Sequence, residues 1–299
     1  MQLVSYRRPN SAVGLWRAGV AQDGRVVDVA AILPDTRSET TTKSLLAAGS
    51  ATLRSVFELA RAAHATGSGA PGMFEGASVE LGPPIPDPDK IICIGLNYAD
   101  HADEAGLART EVPVFFAKFR NSLTGPTSPI RLPRVSTEID YEGELAVVIG
   151  APCKDVSDRD ALQYVAGYTI MNDVSARDLQ MQTSQWIAGK ALDTFAPMGP
   201  GIVPASEIAN PQALTLTTRV NGQVVQQAST ATMIFSVATI IAFLSSLMTL
   251  EPGDIIATGT PAGVGFKRTP PLFLRDGDVV EVEIDGIGQL RNPVVGAHT

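Results

Sequence analysis

The chain has 299 residues, 44% of them hydrophobic, enough for one large domain or for a main domain with a smaller partner, and for a core without disulfides. Its net charge of -8 and the lack of any basic stripe exclude a general nucleic-acid binder, which needs clustered Lys and Arg. The two cysteines, Cys93 and Cys153, show no CxxC spacing and lie near apolar runs, so they read as small buried hydrophobes in a reduced, cytoplasmic setting.

In chain order, the start MQLVSYRRPN lacks the apolar stretch of a signal peptide. Strand-like pieces follow at Leu3–Tyr6, Val13–Ala18 and Arg25–Asp28, and a helix is predicted over Ser44–Ala65, ahead of the loop ATGSGAPG. The segment GPPIPDPDK, Gly82 to Lys90, holds four prolines. Proline removes backbone donors and stiffens the chain, so the segment reads as a boundary between a small α+β domain, 1–81, and a main domain, 82–299.

Beyond Lys90 the pattern is mainly strands: IICIG, VPVFFAKF, ELAVVIG and VAGYTIMND. ALTLTTRVNGQVVQQAS reads as a hairpin, because NG between β-rich runs is a strong turn signal, and VVEVEIDGIGQLRNPV reads as another. Helices are predicted near Asp158–Val165 and over 234–249. The uncharged run from Met233 to Leu250 is just long enough to span a bilayer, but it carries five Ser or Thr residues, has no flanking Lys or Arg, and is followed by the turn signal EPGD. An interior core helix is the reading, with no membrane partner. Many strands with few helices predict an α+β, β-dominated fold with a curved sheet, not a regularly alternating Rossmann fold.

The sharpest feature is DYEGELAVVIG, Asp140 to Gly150. Glu142 and Glu144 sit two apart at the entrance of an apolar strand, so both side chains point to one face. Carboxylates held that close repel, and a divalent cation removes the conflict. Oxygen ligands suit Mg²⁺, Mn²⁺ or Ca²⁺ rather than zinc. Asp173, at the end of the next strand-like run, is the candidate third ligand. Alone, the pair also reads as a solvated edge, as Glu281 and Glu283 do at the same spacing.

NYADHADEAG, Asn97 to Gly106, places His101 and Glu104 three apart, neighbours on a helical turn. A carboxylate beside an imidazole fixes its tautomer and suits it to act as a general base. The small polar residues and Gly106 suggest a mobile lid, although a polar surface helix fits the same letters. Lys190, in QWIAGKALDTF, can stabilise a developing anion or pair at the surface with Asp193. ATGTPAGVG, Ala257 to Gly265, is a glycine-rich loop whose amides can hold a carboxylate; without a closing GK[ST] it is not a P-loop.

Six segments in order, GLNYADHADE, FFAKF, DYEGELAVVIG, NDVSARDLQ, QWIAGKALDTFAPMGP and GDIIATGTPAGVG, resemble the fumarylacetoacetate hydrolase family over about Pro86 to Val295. The resemblance implies a twisted β-roll core, a homodimer, and Mg²⁺ or Mn²⁺ held by Glu142, Glu144 and Asp173. It implies that His101 and Glu104 activate water on a lid that orders around ligand, that Lys190 is the active-site lysine, and that Lys118, Gln180 and Thr260 line the substrate site. The small N-terminal unit is similar to the extension of longer family members. One departure is that Phe119 and Arg120 follow Lys118 where the family often has proline, which bears on the distal end of the substrate pocket.

The expected activity is hydrolysis of a C–C bond in a 2,4-dioxo acid of the acylpyruvate type, releasing pyruvate or a related 2-oxo acid. The same site chemistry also serves decarboxylation of oxaloacetate and isomerisation of a 2-hydroxymuconate-type diacid. A noncatalytic 2-oxo-acid-binding module is the reading of another class, and the complete set of polar site residues speaks against it.

Overall fold

The computed structural model describes residues 1–8, 15–33, 40–67, 69–106 and 110–296. The N-terminal part forms β1 (Gln2–Arg7), β2 (Arg17–Gln22), β3 (Arg25–Asp28) and β4 (Met73–Glu75), with helices α1 (Thr42–Ala47) and α2 (Ser50–Thr66) between β3 and β4. The remainder contributes β5 (Ile91–Gly95), α3 (Ala99–Ala105), β6 (Val114–Lys118), β7 (Gly143–Ile149), β8 (Val165–Asn172), α4 (Arg177–Gln180), α5 (Ile187–Lys190) and β9 (Ala196–Pro204). It continues through β10 (Thr215–Val220), β11 (Gln223–Ser229), α6 (Val237–Leu247), β12 (Ile255–Ala257), β13 (Val279–Ile284) and β14 (Gly288–Val295).

Among the described residues the main sheet runs β4-β3-β2-β1-β9-β8-β7-β12-β5-β6. A second sheet runs β11-β10-β13-β14 and ends on Ile130–Arg131. The centre of the main sheet is buried on both faces, which explains its near-continuous apolar strands. Alternation along β7 divides them: Leu145, Val147 and Ile149 join one core, while Ala146 and Val148 join the other. The first core is completed by the second sheet and by Val237, Ile240, Ile241 and Leu244 of α6. The second is completed by Leu45 and Leu46 of α1 and by Val56 and Ala60 of α2. A helical layer, a main sheet and a second sheet therefore stack in that order. This is the β-dominated α+β architecture that the family resemblance implies.

Sheet and core both continue across the proline-rich segment. β1 pairs with β9 at Leu3↔Ile202, and Leu3, Val20 and Val27 share a core with Ile91, Met198 and Ile255.

Local departures from the sequence expectations have identifiable causes. The helix expected over Ser44–Ala65 is two helices, broken at Gly49, whose φ of +91° an L side chain rarely adopts. The second strand starts at Arg17 rather than Val13; residues 13 and 14 lie outside the described residues, as do Ser68 of the loop ATGSGAPG and His298 of the tail. Asp158–Val165 holds only a 3-10 turn, Ala161–Tyr164. The helix expected over 234–249 covers Val237–Leu247, because the Ser236 hydroxyl accepts from the Thr239 amide and caps it there. No helix among the described residues is long and apolar enough to cross a membrane. Both hairpins form, the first through Asn221 and Gly222 at positive φ. Glu281 and Glu283 pair with Arg291 and Arg219 on the second sheet, away from any acidic cluster. Cys93 and Cys153 are free and buried.

Candidate metal centre and cavity

Register builds the acidic cluster. β7 and β8 are antiparallel with Gly143 opposite Asn172, so Glu142 and Asp173 face one another just beyond the paired ends. The Asp173 amide donates to the Glu142 carbonyl oxygen at 2.8 Å, and the Glu142 amide donates to Asn172 Oδ1 at 3.0 Å. Glu144, two residues on, turns to the same side. One carboxylate oxygen from each of Glu142, Glu144 and Asp173 lies within 4.8 Å of the others, and all three residues are buried. Gly143 between the two glutamates lets the second sheet approach, since a Cβ there would meet Thr218 Oγ1 at 2.3 Å.

Cations surround the cluster. Lys190 Nζ bridges Glu142 Oε2 at 2.6 Å and Asp173 Oδ2 at 2.9 Å. Lys118 Nζ donates to Asp173 Oδ1 at 2.5 Å and to the Val174 carbonyl oxygen at 3.0 Å. Arg177 Nη2 lies 2.6 Å from Glu142 Oε1 and 2.9 Å from Asp140 Oδ2. The Gly259 amide donates to Glu144 Oε2 at 2.8 Å. Gly259 has φ +100°, and a Cβ there would meet the Asn97 Cβ at 2.7 Å, so only glycine presents its amide in this way.

The environments push the carboxylates apart. Burial works against ionisation of Glu142, but Lys190 and Arg177 overcome it and hold its carboxyl down to about 2. Burial, then the charges of Asp173 and Glu142, raises Glu144 well above the ordinary glutamate range. Burial also opposes the charge on Lys190, and Asp173 and Glu142 more than restore it. With Arg177 and Asp140 neutralising each other, three carboxylates, if all ionised, and two ammonium groups leave one net negative charge. A divalent cation turns that to one net positive charge, suited to an anionic ligand, and relieves the repulsion on Glu144. The donor set is oxygen only, which fits Mg²⁺ or Mn²⁺.

A cavity of about 270 Å³ opens over the cluster. Its floor includes Glu142, Glu144, Lys190 and Arg177, and its walls include Ile94, Phe116, Trp186 and Phe266. His101, on α3, lines it and is nearly buried. His101 Nδ1 is 3.6 Å from Glu104 Oε2, and Glu104 accepts from the Gly263 amide at 3.1 Å. The glycine-rich loop thus uses its amides on three of the protein's own carboxylates, Glu144, Glu104 and Asp140.

The sequence candidates divide by position. His101, Glu142, Glu144, Lys190, Gln180 and Thr260 line the cavity. Asp173 and Lys118 lie behind the lining, with Lys118 turned onto Asp173. Lys190 engages Glu142 and Asp173 rather than Asp193, which accepts from Asn121. The Thr260 hydroxyl donates to the Gly143 carbonyl oxygen at 3.0 Å and accepts from Gln226 Nε2 at 2.8 Å, so it has only acceptor capacity left. Sequence reasoning passed over Arg177, Asp140 and Gln226. Arg177 and Asp140 stood inside the motifs NDVSARDLQ and DYEGELAVVIG; nothing marked Gln226.

Fold and site together define an enzyme scaffold with a buried acidic centre under a partly apolar cavity. The description "Fumarylacetoacetate (FAA) hydrolase C-terminal" matches residues 90–295, and the chain belongs to the fumarylacetoacetate hydrolase family. It is 41% identical over 297 residues to a mitochondrial oxaloacetate tautomerase of Homo sapiens, covering 99% of this chain and 92% of that one. Among solved structures it is similar to a fumarylacetoacetate hydrolase from Exiguobacterium antarcticum (TM-score 0.82, 38% identity, all of both chains). It is also similar to a maleylpyruvate hydrolase from Sphingobium sp. SYK-6 in complex with manganese (II) ion and pyruvate (TM-score 0.79, 31% identity, all of both chains).

Proposed function

We propose that the protein moves a proton at C3 of a dicarboxylic 2-oxo acid, interconverting the keto and enol forms of oxaloacetate. The observation that carries this reading is the shared cavity of His101, Lys190 and the acidic centre. When bound, Mg²⁺ or Mn²⁺ supplies a Lewis acid for the carboxylate and 2-oxo oxygens of such a substrate. Glu142, Glu144 and Asp173 would hold it. His101 takes a proton from C3, and the C–H electron pair becomes the enol double bond. Lys190 supports the negative charge gathering at the 2-oxo oxygen, where a preorganised cation lowers the barrier. Returning the proton to that oxygen gives the enol, so atoms and charge balance. Glu104, anchored by the Gly263 amide, orients the imidazole. The near-full-length likeness to an oxaloacetate tautomerase supports this substrate over others.

Hydrolysis of a 2,4-dioxo acid is the second reading, favoured by the relative that holds manganese and pyruvate. There His101 deprotonates water, oxygen adds to the 4-carbonyl, the C3–C4 bond breaks, and C3 takes up a proton. A homodimer is the proposed assembly, consistent with exposed Phe115 on the outermost strand β6 and exposed Val112 and Phe119 beside it. The cytoplasmic setting stays a proposal, since the human relative's name reads mitochondrial.

The test sets enol-oxaloacetate decay, CO₂ release from oxaloacetate and pyruvate release from acetylpyruvate side by side, with Mg²⁺ or Mn²⁺ added. Accelerated enol decay that His101→Ala lowers by about 100-fold or more, with metal binding kept, is the expected result. Pyruvate release without enol decay would shift the reading to the hydrolase. Tight oxaloacetate binding with no turnover in any assay would leave a binding module.

A further inference from the structure

We propose that the cavity also takes 3-aryl-2-oxo acids, seats the aryl ring in the corner between Phe116 and Trp186, and interconverts their keto and enol forms. The inference rests on the reading above, in which the 2-oxo acid end of the ligand sits on the acidic floor and His101 moves the C3 proton.

Ile94, Leu96, Phe116, Met181, Trp186 and Phe266 give the cavity an apolar side, and Met181 among them is exposed. The volume of about 270 Å³ exceeds what a four-carbon diacid fills. It lies close to the range, about 300 Å³ upward, of pockets that enclose larger and mostly apolar ligands. A lining of this kind gains from covering hydrocarbon and penalises an unpaired charge.

The aromatic groups are arranged to hold a ring. Phe116 and Trp186 both line the cavity, with ring centroids 5.5 Å apart and planes at 68°, so they form an edge-to-face corner. An aryl ring entering that corner meets the face of one and the edge of the other, an arrangement that aromatic groups prefer. The indole is backed by a strand: a Cβ on Gly95 of β5 would meet Trp186 Cζ3 at 2.5 Å, so the ring packs directly on the backbone. The corner also adjoins the floor. Lys190 Nζ lies 5.0 Å from the Phe116 ring centroid while it bridges Glu142 and Asp173. With the 2-oxo oxygen facing Lys190, a ring attached at C3 therefore reaches the corner.

The reaction needs no further group. His101 takes a proton from C3, the C–H electron pair becomes the C2–C3 double bond, and the 2-oxo oxygen takes up a proton to give the enol. An aryl group on C3 makes that proton benzylic and conjugates the enol, so the same base meets a more acidic carbon. Burial of the ring adds binding that oxaloacetate lacks, because its second carboxylate gains nothing from the aromatic corner and must keep its water.

The experiment takes the Mn²⁺-loaded protein and phenylpyruvate, with oxaloacetate run beside it, and reads enol decay by ultraviolet absorbance and binding by calorimetric titration. Wild type is expected to bind phenylpyruvate and to speed its enol decay. Trp186→Ala is expected to weaken phenylpyruvate binding about tenfold more than oxaloacetate binding, through lost ring burial and ring–ring contact. Trp186→Phe should restore most of that difference. Unchanged phenylpyruvate enol decay beside accelerated oxaloacetate enol decay would overturn the proposal while leaving the floor reading intact, and so would equal losses for the two acids in Trp186→Ala. Wild-type protein that acts on neither acid would overturn the floor reading and the proposal with it.

Discussion

Asp173 and Glu142 meet across the ends of two antiparallel strands, joined by a 2.8 Å backbone hydrogen bond and by a single lysine, Lys190, that touches both carboxylates. The backbone pairing fixes the separation of the carboxylates before any ligand arrives. The lysine holds their charge when no cation does. Both effects follow from placing acids in a buried position that a well-packed pair of strands cannot relax.

Glu144 is the strained member of the cluster. Burial and its two acidic neighbours work against its charge. Glu144→Gln is expected to raise the melting temperature of chelator-treated protein by a few degrees, on the order of 1 kcal/mol, while abolishing the rise that Mn²⁺ gives wild type. Thermal unfolding with and without metal reads both effects. A variant less stable without metal would show that the repulsion is already relieved by the neighbouring lysines.

Lys190→Met removes one side of a buried charge network and leaves Glu142 and Asp173 facing each other. A loss of about 3–5 kcal/mol is expected in chelator-treated protein. Saturating Mn²⁺ should recover part of it, because a cation replaces the missing charge. Denaturant unfolding at two metal concentrations measures the difference; equal losses at both would separate Lys190 from the metal centre.

The contact of α3 with the glycine-rich loop carries a pH signature. Burial raises the Glu104 carboxyl, but the neighbouring His101 imidazole and the Gly263 amide outweigh it and leave it below the ordinary glutamate range. Its folded value being the lower one, docking of α3 gains from Glu104 above that ordinary range and loses the gain as pH falls through it. Relative to the intrinsic exchange rate, amide protection in α3 should therefore fall between about pH 5 and pH 3. Glu104→Gln should exchange faster at neutral pH and lack that step. A step of the same size in the variant would assign it to another group.

Gln226 joins the second sheet to the site. Its Oε1 accepts from the Gly143 amide, and its Nε2 donates to Thr260 Oγ1 and to the Pro261 carbonyl oxygen. Gln226→Ala leaves the buried Gly143 amide and Pro261 carbonyl oxygen without partners and is expected to cost about 1–3 kcal/mol. It should also weaken Mn²⁺ binding, since Gly143 lies between the two candidate ligands Glu142 and Glu144. Full stability in the variant would mean that water replaces the amide.

The site was legible where its logic is local. The two-residue period of a strand put Glu142 and Glu144 on one face, and the helical turn put His101 beside Glu104. The partners of these groups were not legible, because they depend on register and on chain crossings. The opposition of Asp173 to Glu142 follows from β7–β8 pairing, the Gly259 amide reaches Glu144 from a distant loop, and Gln226 arrives from the second sheet. Arg177 carried a usable signal, a cation four residues after a candidate ligand, yet its contact with Glu142 needed the turn that follows β8. In the fold, apolar runs located the strands, but their order did not follow: the proline-rich segment divides the sequence without dividing the sheet.

Manganese binding by electron paramagnetic resonance tests the central claim most directly, with chelator-treated wild type titrated beside Glu144→Gln and Asp173→Asn. One tightly bound Mn²⁺ per chain in wild type, weakened at least about 100-fold in each variant with the fold retained, is the expected result. Equal Mn²⁺ binding in all three proteins, or none in wild type, would contradict a metal centre built from Glu142, Glu144 and Asp173.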